Sequence, residues 1–207
     1  EDGRPKYLPA DEYLSGNVRE KLAIAKRSAE LHPEDYGENV RALEAVQPVD
    51  LTASEISVRL GATWLTLEII EEFMFELFST PRYCQWNIHV HYAQYTGEWN
   101  VEGKSYDRSN VKAYNTYGTG RVNGYKIMEE TLNLRDVRIF DYIEDGNGMK
   151  TALLNKKETA IAQGKQELIK QAFADLIWSD PERREQLTKL YNEKFNSIRP
   201  ASMTAAT

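Results

Sequence analysis

The stretch Tyr114 to Tyr142, YNTYGTGRVNGYKIMEETLNLRDVRIFDY, constrains this chain most. Three glycines (Gly118, Gly120, Gly124) surround Arg121 and Asn123. A helical pattern follows over about Val122 to Asn133, with Val122, Tyr125, Ile127, Met128 and Leu132 available for one apolar stripe. VRIFDY then alternates: Val137, Ile139 and Asp141 face one way, and Arg138, Phe140 and Tyr142 the other, which predicts a strand. A glycine turn feeding a helix and then a strand is a shape that often binds phosphate.

Bulk properties narrow the class. A chain of 207 residues with 41% hydrophobic side chains can bury a core. The net charge of -6 excludes a global basic field, so a nucleic-acid contact needs a local patch. The lone Cys84 cannot form an internal disulfide, and no Cys/His cluster has zinc spacing. A single thiol fits a reducing compartment, and the expected location is cytoplasmic. No apolar run is long enough to span a membrane, and no signal peptide is evident. The chain starts at Glu1, without an initiator methionine, and reads as a piece of something larger or as a trimmed chain.

In chain order, residues 1–15 read as an N-terminal arm, 16–198 as a single α+β domain, and 199–207 as a disordered tail. Helices are expected over about Asn17–Leu31 and Glu34–Val46, the second opened by Pro33 and closed by Pro48. Thr52 with Glu55 makes a capping box, predicting a short helix that Gly61 ends. The next helix, Leu67–Phe78, would complete a helix-turn-helix. However, Glu68, Glu71, Glu72 and Glu76 give it an acidic face that DNA would repel, and its apolar stripe marks a core helix. A hairpin follows: Trp86, Ile88, Val90 and Tyr92 alternate with polar residues, Thr96-Gly97 turns the chain, and Trp99 and Val101 return it. A second hairpin joins VRIFDYI to MKTALL through Glu144-Asp145-Gly146-Asn147-Gly148. A long helix spans Lys156–Trp178, with an expected stripe of Ile161, Leu168, Ile169, Ala172, Phe173, Leu176 and Ile177. Asp180 and Pro181 start the last helix.

Several chemistries can be weighed. His89 and His91 share a strand face, which suits a shared metal, but the remaining histidine, His32, lies in a distant segment. An exposed polar face is the expectation, with no metal ligands. Gly118-x-Gly120-x-x-x-Gly124 approaches a dinucleotide fingerprint, with Asp141 near the ribose-binding distance. Its spacing is one residue too long, and Val111–Thr116 is too polar for a central parallel strand. No phosphate-loop motif, nucleophile elbow or zinc-protease motif is present. The alternatives are a turn that merely needs positive backbone dihedrals and a phosphate contact. In the second, helix-start amides join Arg121, Asn123 and Lys126, and Tyr114, Tyr117 and Tyr125 stack on bases.

YLSGNVREKL (13–22), LEAVQPVDLTASEISVRLGATWL (43–65), AYNTYGTGRVNGYKIMEETLNLRDVRI (113–139), LNKKET (154–159) and WSDPERREQLTKLYNEKFNSIRP (178–200) carry a resemblance that covers nearly the whole chain. Together they resemble an internal region of the very large Snf2-like helicase and adenine-specific DNA methyltransferase proteins of bacterial conjugative elements and phages. The resemblance implies a bacterial, DNA-handling parent with an ATP-dependent helicase part and a methyltransferase part. The catalytic motifs of both parts fall outside this segment, so no catalytic residue carries over.

The expected fold is α+β, mainly helical, with two antiparallel hairpins or a small mixed sheet. The expected role is a non-catalytic accessory domain without a cofactor, contacting the DNA backbone or orienting the enzymatic parts. The contact candidates are Arg121, Asn123, Lys126, Arg135, Arg138 and Tyr117. A pure interdomain scaffold and a degenerate nucleotide- or methyl-donor-binding fold are the alternatives. Expected partners are DNA and the neighbouring helicase and methyltransferase domains, with no membrane.

Overall fold

The computed structural model describes residues 8–144 and 149–201. The expected turn at 145–148, residues 1–7 of the arm and residues 202–207 of the tail lie outside them. In chain order the elements are α1 (Ala10–Tyr13), β1 (Gly16–Asn17), α2 (Val18–Leu31), α3 (Pro33–Glu44), α4 (Leu67–Phe78), α5 (Arg82–Gln85), β2 (His89–Ala93) and β3 (Glu98–Glu102). A π-helical turn (Lys112–Thr116) precedes α6 (Gly124–Leu132), β4 (Phe140–Glu144), β5 (Lys150–Leu154), α7 (Lys156–Leu176), α8 (Pro181–Phe195) and β6 (Ile198–Arg199). The fold is α+β and mainly helical. Its described strands form three two-stranded antiparallel sheets, β1–β6, β2–β3 and β4–β5.

The chain divides into two compact units, residues 1–56 with 185–207, and residues 57–184. The single domain expected over 16–198 spans both. In the first unit α2 packs on α3 around Val18, Ala25 and Leu43, with Tyr13, Leu14, Leu22, Val40 and Val46 at the margin. Asn17 caps α2, accepting from the Glu20 amide at 3.1 Å. The C-terminal chain closes this unit. Gly16 pairs with Arg199 and Asn17 with Ile198. The Asn192 amide both accepts from Leu51 N–H (2.8 Å) and donates to its carbonyl (2.9 Å). The expected tail therefore begins inside β6.

The second unit is built on α4. Its Ile70, Phe73, Met74, Leu77 and Phe78 are buried with Tyr125, Ile127, Met128 and Leu132 of α6 and Ile169 and Phe173 of α7. Phe73 meets Phe173 edge-on at 5.0 Å, and Phe78 meets Tyr125 at 4.7 Å. The β2–β3 hairpin lays Val90, Trp99 and Val101 on this core. Side chains bind edge groups of both strands. Glu71 of α4 accepts from Val90 N–H (2.7 Å), Glu129 of α6 accepts from Val101 N–H (2.9 Å), and Asn133 pairs with both backbone groups of Trp99 (2.8 Å each).

The structure corrects four expectations. No helix forms over 52–61: Glu55 closes one turn on the Thr52 amide (2.8 Å), and Gly61, at φ +84°, lies so close to the Leu132 carbonyl that a Cβ would stand 2.3 Å from it. The helix expected from Val122 starts at Gly124, because Thr119 and Val122 close a turn (2.8 Å) before it. The expected α7 stripe is partly misplaced. Ile161 and Leu168 are exposed, and the buried face carries Thr159, Ala162, Gln166, Ile169 and Phe173. Finally, β4 begins at Phe140, so VRI is extended but not a strand. The last two have one cause: residues 135–139 take their hydrogen bonds from α7 side chains. Ile139 N–H donates to Thr159 Oγ1 (3.0 Å), Val137 N–H to Gln166 Oε1 (3.2 Å), and Gln166 Nε2 to the Arg135 carbonyl (2.7 Å).

Candidate nucleic-acid interface

Threading residues 135–139 along α7 fixes which side chains face out. Val137 and Ile139 are buried, so Arg138 between them is exposed. Together with the end of α6, this segment walls an open hollow of about 590 Å³ lined by Lys126, Glu130, Leu134, Arg135, Asp136 and Arg138, with apolar Val122, Val137 and Ile139. Three of the expected contact residues meet here. Arg138 has no hydrogen-bond or ion-pair partner among the described residues. Arg135 pairs with Glu98, and both side chains are exposed. Lys126 bridges Glu129 (2.5 Å) and Glu130 (2.7 Å). Its burial lowers the ammonium pKa, but those two carboxylates raise it by more, so the cation is held.

Glu129 anchors this wall. It takes Lys104, Lys126 and the Val101 amide together. Burial pushes its carboxyl pKa up, but the two ammonium groups and the amide outweigh burial and hold it below the ordinary value.

The other three candidates have structural partners. Asn123 caps α6 through the Lys126 amide (2.9 Å) and donates to the Lys104 carbonyl (3.0 Å) and Tyr114 hydroxyl (3.2 Å). Thr119 Oγ1 takes the Arg121 and Val122 amides, so these groups are not turned to a ligand. Arg121 pairs with Asp141 (2.8 Å) and donates to the Phe140 carbonyl (3.0 Å), joining the glycine stretch to β4. That guanidinium, then the Asn155 amide, hold the Asp141 carboxyl below its ordinary pKa. Tyr117 packs on Phe78 at 5.9 Å.

Two of the three glycines are closed by packing, while Gly120 faces open space. A Cβ on Gly118 would meet the Ala113 carbonyl oxygen at 2.3 Å, and one on Gly124 the Phe78 ring at 2.8 Å. The segment expected to be a poor strand, Val111–Thr116, holds the π-helical turn, whose last carbonyls accept from Lys165 (3.0 and 2.9 Å). A buried knot supports it: Tyr125 OH donates to Asp107 (2.9 Å), and Asn110 binds Asp107 (2.5 Å), the Phe78 carbonyl (2.9 Å) and the Ala113 amide (3.0 Å). Cys84 lies in this knot, and burial, then the Asp107 charge, push its thiol pKa up.

On β2, His89 and His91 lie on one exposed face with ring centroids 6.3 Å apart. His89 lies 3.6 Å from Glu71 and His91 3.1 Å from Glu102. No group of three metal-ligating residues forms among the described residues. No described helix is long and apolar enough to cross a membrane.

Sequence reasoning missed Leu134, which lines the hollow in a left-handed conformation, and the acid Asp136 beside the cations. No residue signal marked Leu134, since glycine usually occupies such a helix-ending position and leucine stands there instead.

An α+β unit with a mixed-charge hollow at the end of a helix is thus the class that fold and site define. A family model described as Domain of unknown function (DUF8437) matches residues 59–197, and the chain belongs to that family. No curated protein and no solved structure matches the chain.

Proposed function

We propose that this chain is a non-catalytic accessory module of a large DNA-handling protein, contacting the DNA backbone through the hollow at the end of α6. The supporting observation is the convergence of Lys126, Arg135 and Arg138 on one open wall, with Arg138 unpaired among the described residues. An unpaired exposed guanidinium can take a phosphate without first losing a partner. Exchanging the Arg135–Glu98 pair for a phosphate costs little, because exposed ion pairs are worth about 0–1 kcal/mol. The resemblance to helicase–methyltransferase proteins, with cytoplasmic parents, gives the hollow its context. Arg138→Ala tests the reading. It should weaken binding to all DNA sequences alike and lower the salt-dependence slope by about 1. Unchanged affinity would remove Arg138 as a contact.

The interdomain scaffold is the second reading, and the β4–β5 hairpin favours it. Tyr142, Ile143 and Leu153 are 71%, 56% and 57% exposed. Two strands alone are marginal in water, and this hairpin exposes apolar side chains on both faces, Tyr142 on one and Ile143 with Leu153 on the other, which suits a docking segment. Polar substitution of these three residues should leave DNA affinity intact and weaken binding to the neighbouring helicase or methyltransferase part. Unweakened binding to both parts would count against the scaffold.

A further inference from the structure

Leu134 follows α6 at φ +57°. Its N–H donates to the Thr131 carbonyl (3.0 Å) and the Arg135 N–H to the Glu130 carbonyl (2.9 Å). This is the left-handed helix ending that glycine normally completes, and a branched side chain is disfavoured there. Burial does not compensate, because Leu134 is 59% exposed. Its flank is seated on Gly61, where an added Cβ would meet Leu134 Cδ2 at 3.2 Å. One terminal methyl thus rests on the loop glycine, and the rest of the side chain is exposed on a backbone tied by two hydrogen bonds.

Its surroundings hold cations among acids. Leu134 lines the hollow of Lys126, Arg135 and Arg138, where Glu130 and Asp136 also lie, and a neighbouring one of about 340 Å³ that holds Arg59 and Lys170 and shares Arg135 and Asp136. An exposed apolar tip between two cation-bearing hollows matches the geometry by which DNA-bending proteins hold phosphates on both sides and press a side chain between bases. Resting on the DNA reading above, we propose that Leu134 is an apolar wedge that enters a base step, and that the preferred ligand is DNA with a step already weakened, at a mismatch or a fork. Unstacking opposes such insertion, so a weakened step is the cheaper one to open.

The test uses the full chain and three labelled DNAs: a matched duplex, the same duplex with a mismatch, and a fork. 2-Aminopurine placed beside the mismatch reports unstacking. The wild type should prefer the mismatched and forked forms by about tenfold, with the probe brightening on binding. Leu134→Gly eases the backbone, so it should fold with an undiminished Tm, while Leu134→Ala keeps the left-handed strain and shortens the tip. Both should bring the two weakened forms down to the level of the matched duplex and remove the brightening. Arg138→Ala should weaken all three forms and keep their ratio. If Leu134→Gly retains the preference and the brightening, the wedge is wrong and the DNA reading stands. If the wild type binds none of the three, both fall.

Discussion

At the residue scale, two side chains among the described residues, Ser79 and Leu134, occupy backbone positions suited to glycine. Ser79 ends α4 at φ +51°, with the Thr80 amide donating to the Phe75 carbonyl at 2.9 Å. Ser79→Gly should raise stability by roughly 0.5–1 kcal/mol, because removing the Cβ relieves left-handed strain that exceeds glycine's added chain entropy. Thermal unfolding measures it, and a lowered Tm would mean that the Lys112–Ser79 hydrogen bond (2.8 Å) matters more than the strain. Glu129 carries more weight. Glu129→Gln removes the charge from a carboxylate that holds Lys104 and Lys126 and should cost roughly 2 kcal/mol near neutral pH. The folded-state pKa lies below 4.5, so this stabilisation is present above that value and disappears as pH falls through the lowered one. The gap between wild type and variant should therefore close in acid. A gap that is constant with pH would show that the charge is not what stabilises the fold.

At the element scale, long periodic patterns were legible and local chemistry less so. α4 lies where its apolar stripe put it, and the β2–β3 hairpin forms where alternation put it, although β2 begins only at His89 and Trp86 is exposed. The buried face of α7 was misread because it contains Thr159 and Gln166, polar residues that serve the backbone of residues 135–139. Hydrophobic periodicity cannot mark a buried polar side chain whose partner is a distant backbone. For the same reason the glycine stretch looked like a ligand site. Alanine at Gly118 should cost roughly 1–3 kcal/mol, since its Cβ meets backbone. Gly164 in α7 has open space around it, and alanine there should stabilise by roughly 0.5–1 kcal/mol. Denaturant unfolding of the two variants separates packing from conformation. If Gly118→Ala were neutral in stability yet altered binding, the phosphate reading of the turn would return.

At the scale of the whole molecule, the net charge of -6 makes any DNA contact a property of one local wall. The sequence named all three cations that meet there, Lys126, Arg135 and Arg138, but could not separate them from Arg121, which β4 occupies. That sorting depends on how residues 135–139 lie along α7, a tertiary fact. The most direct test of a DNA-contacting module is fluorescence anisotropy of the wild type and Arg138→Ala on single-stranded, duplex and forked DNA at two salt concentrations. The account predicts salt-sensitive binding by the wild type that is weakened, with a shallower salt slope, in Arg138→Ala. No binding by the wild type at low salt, or identical binding by the two proteins, would contradict it.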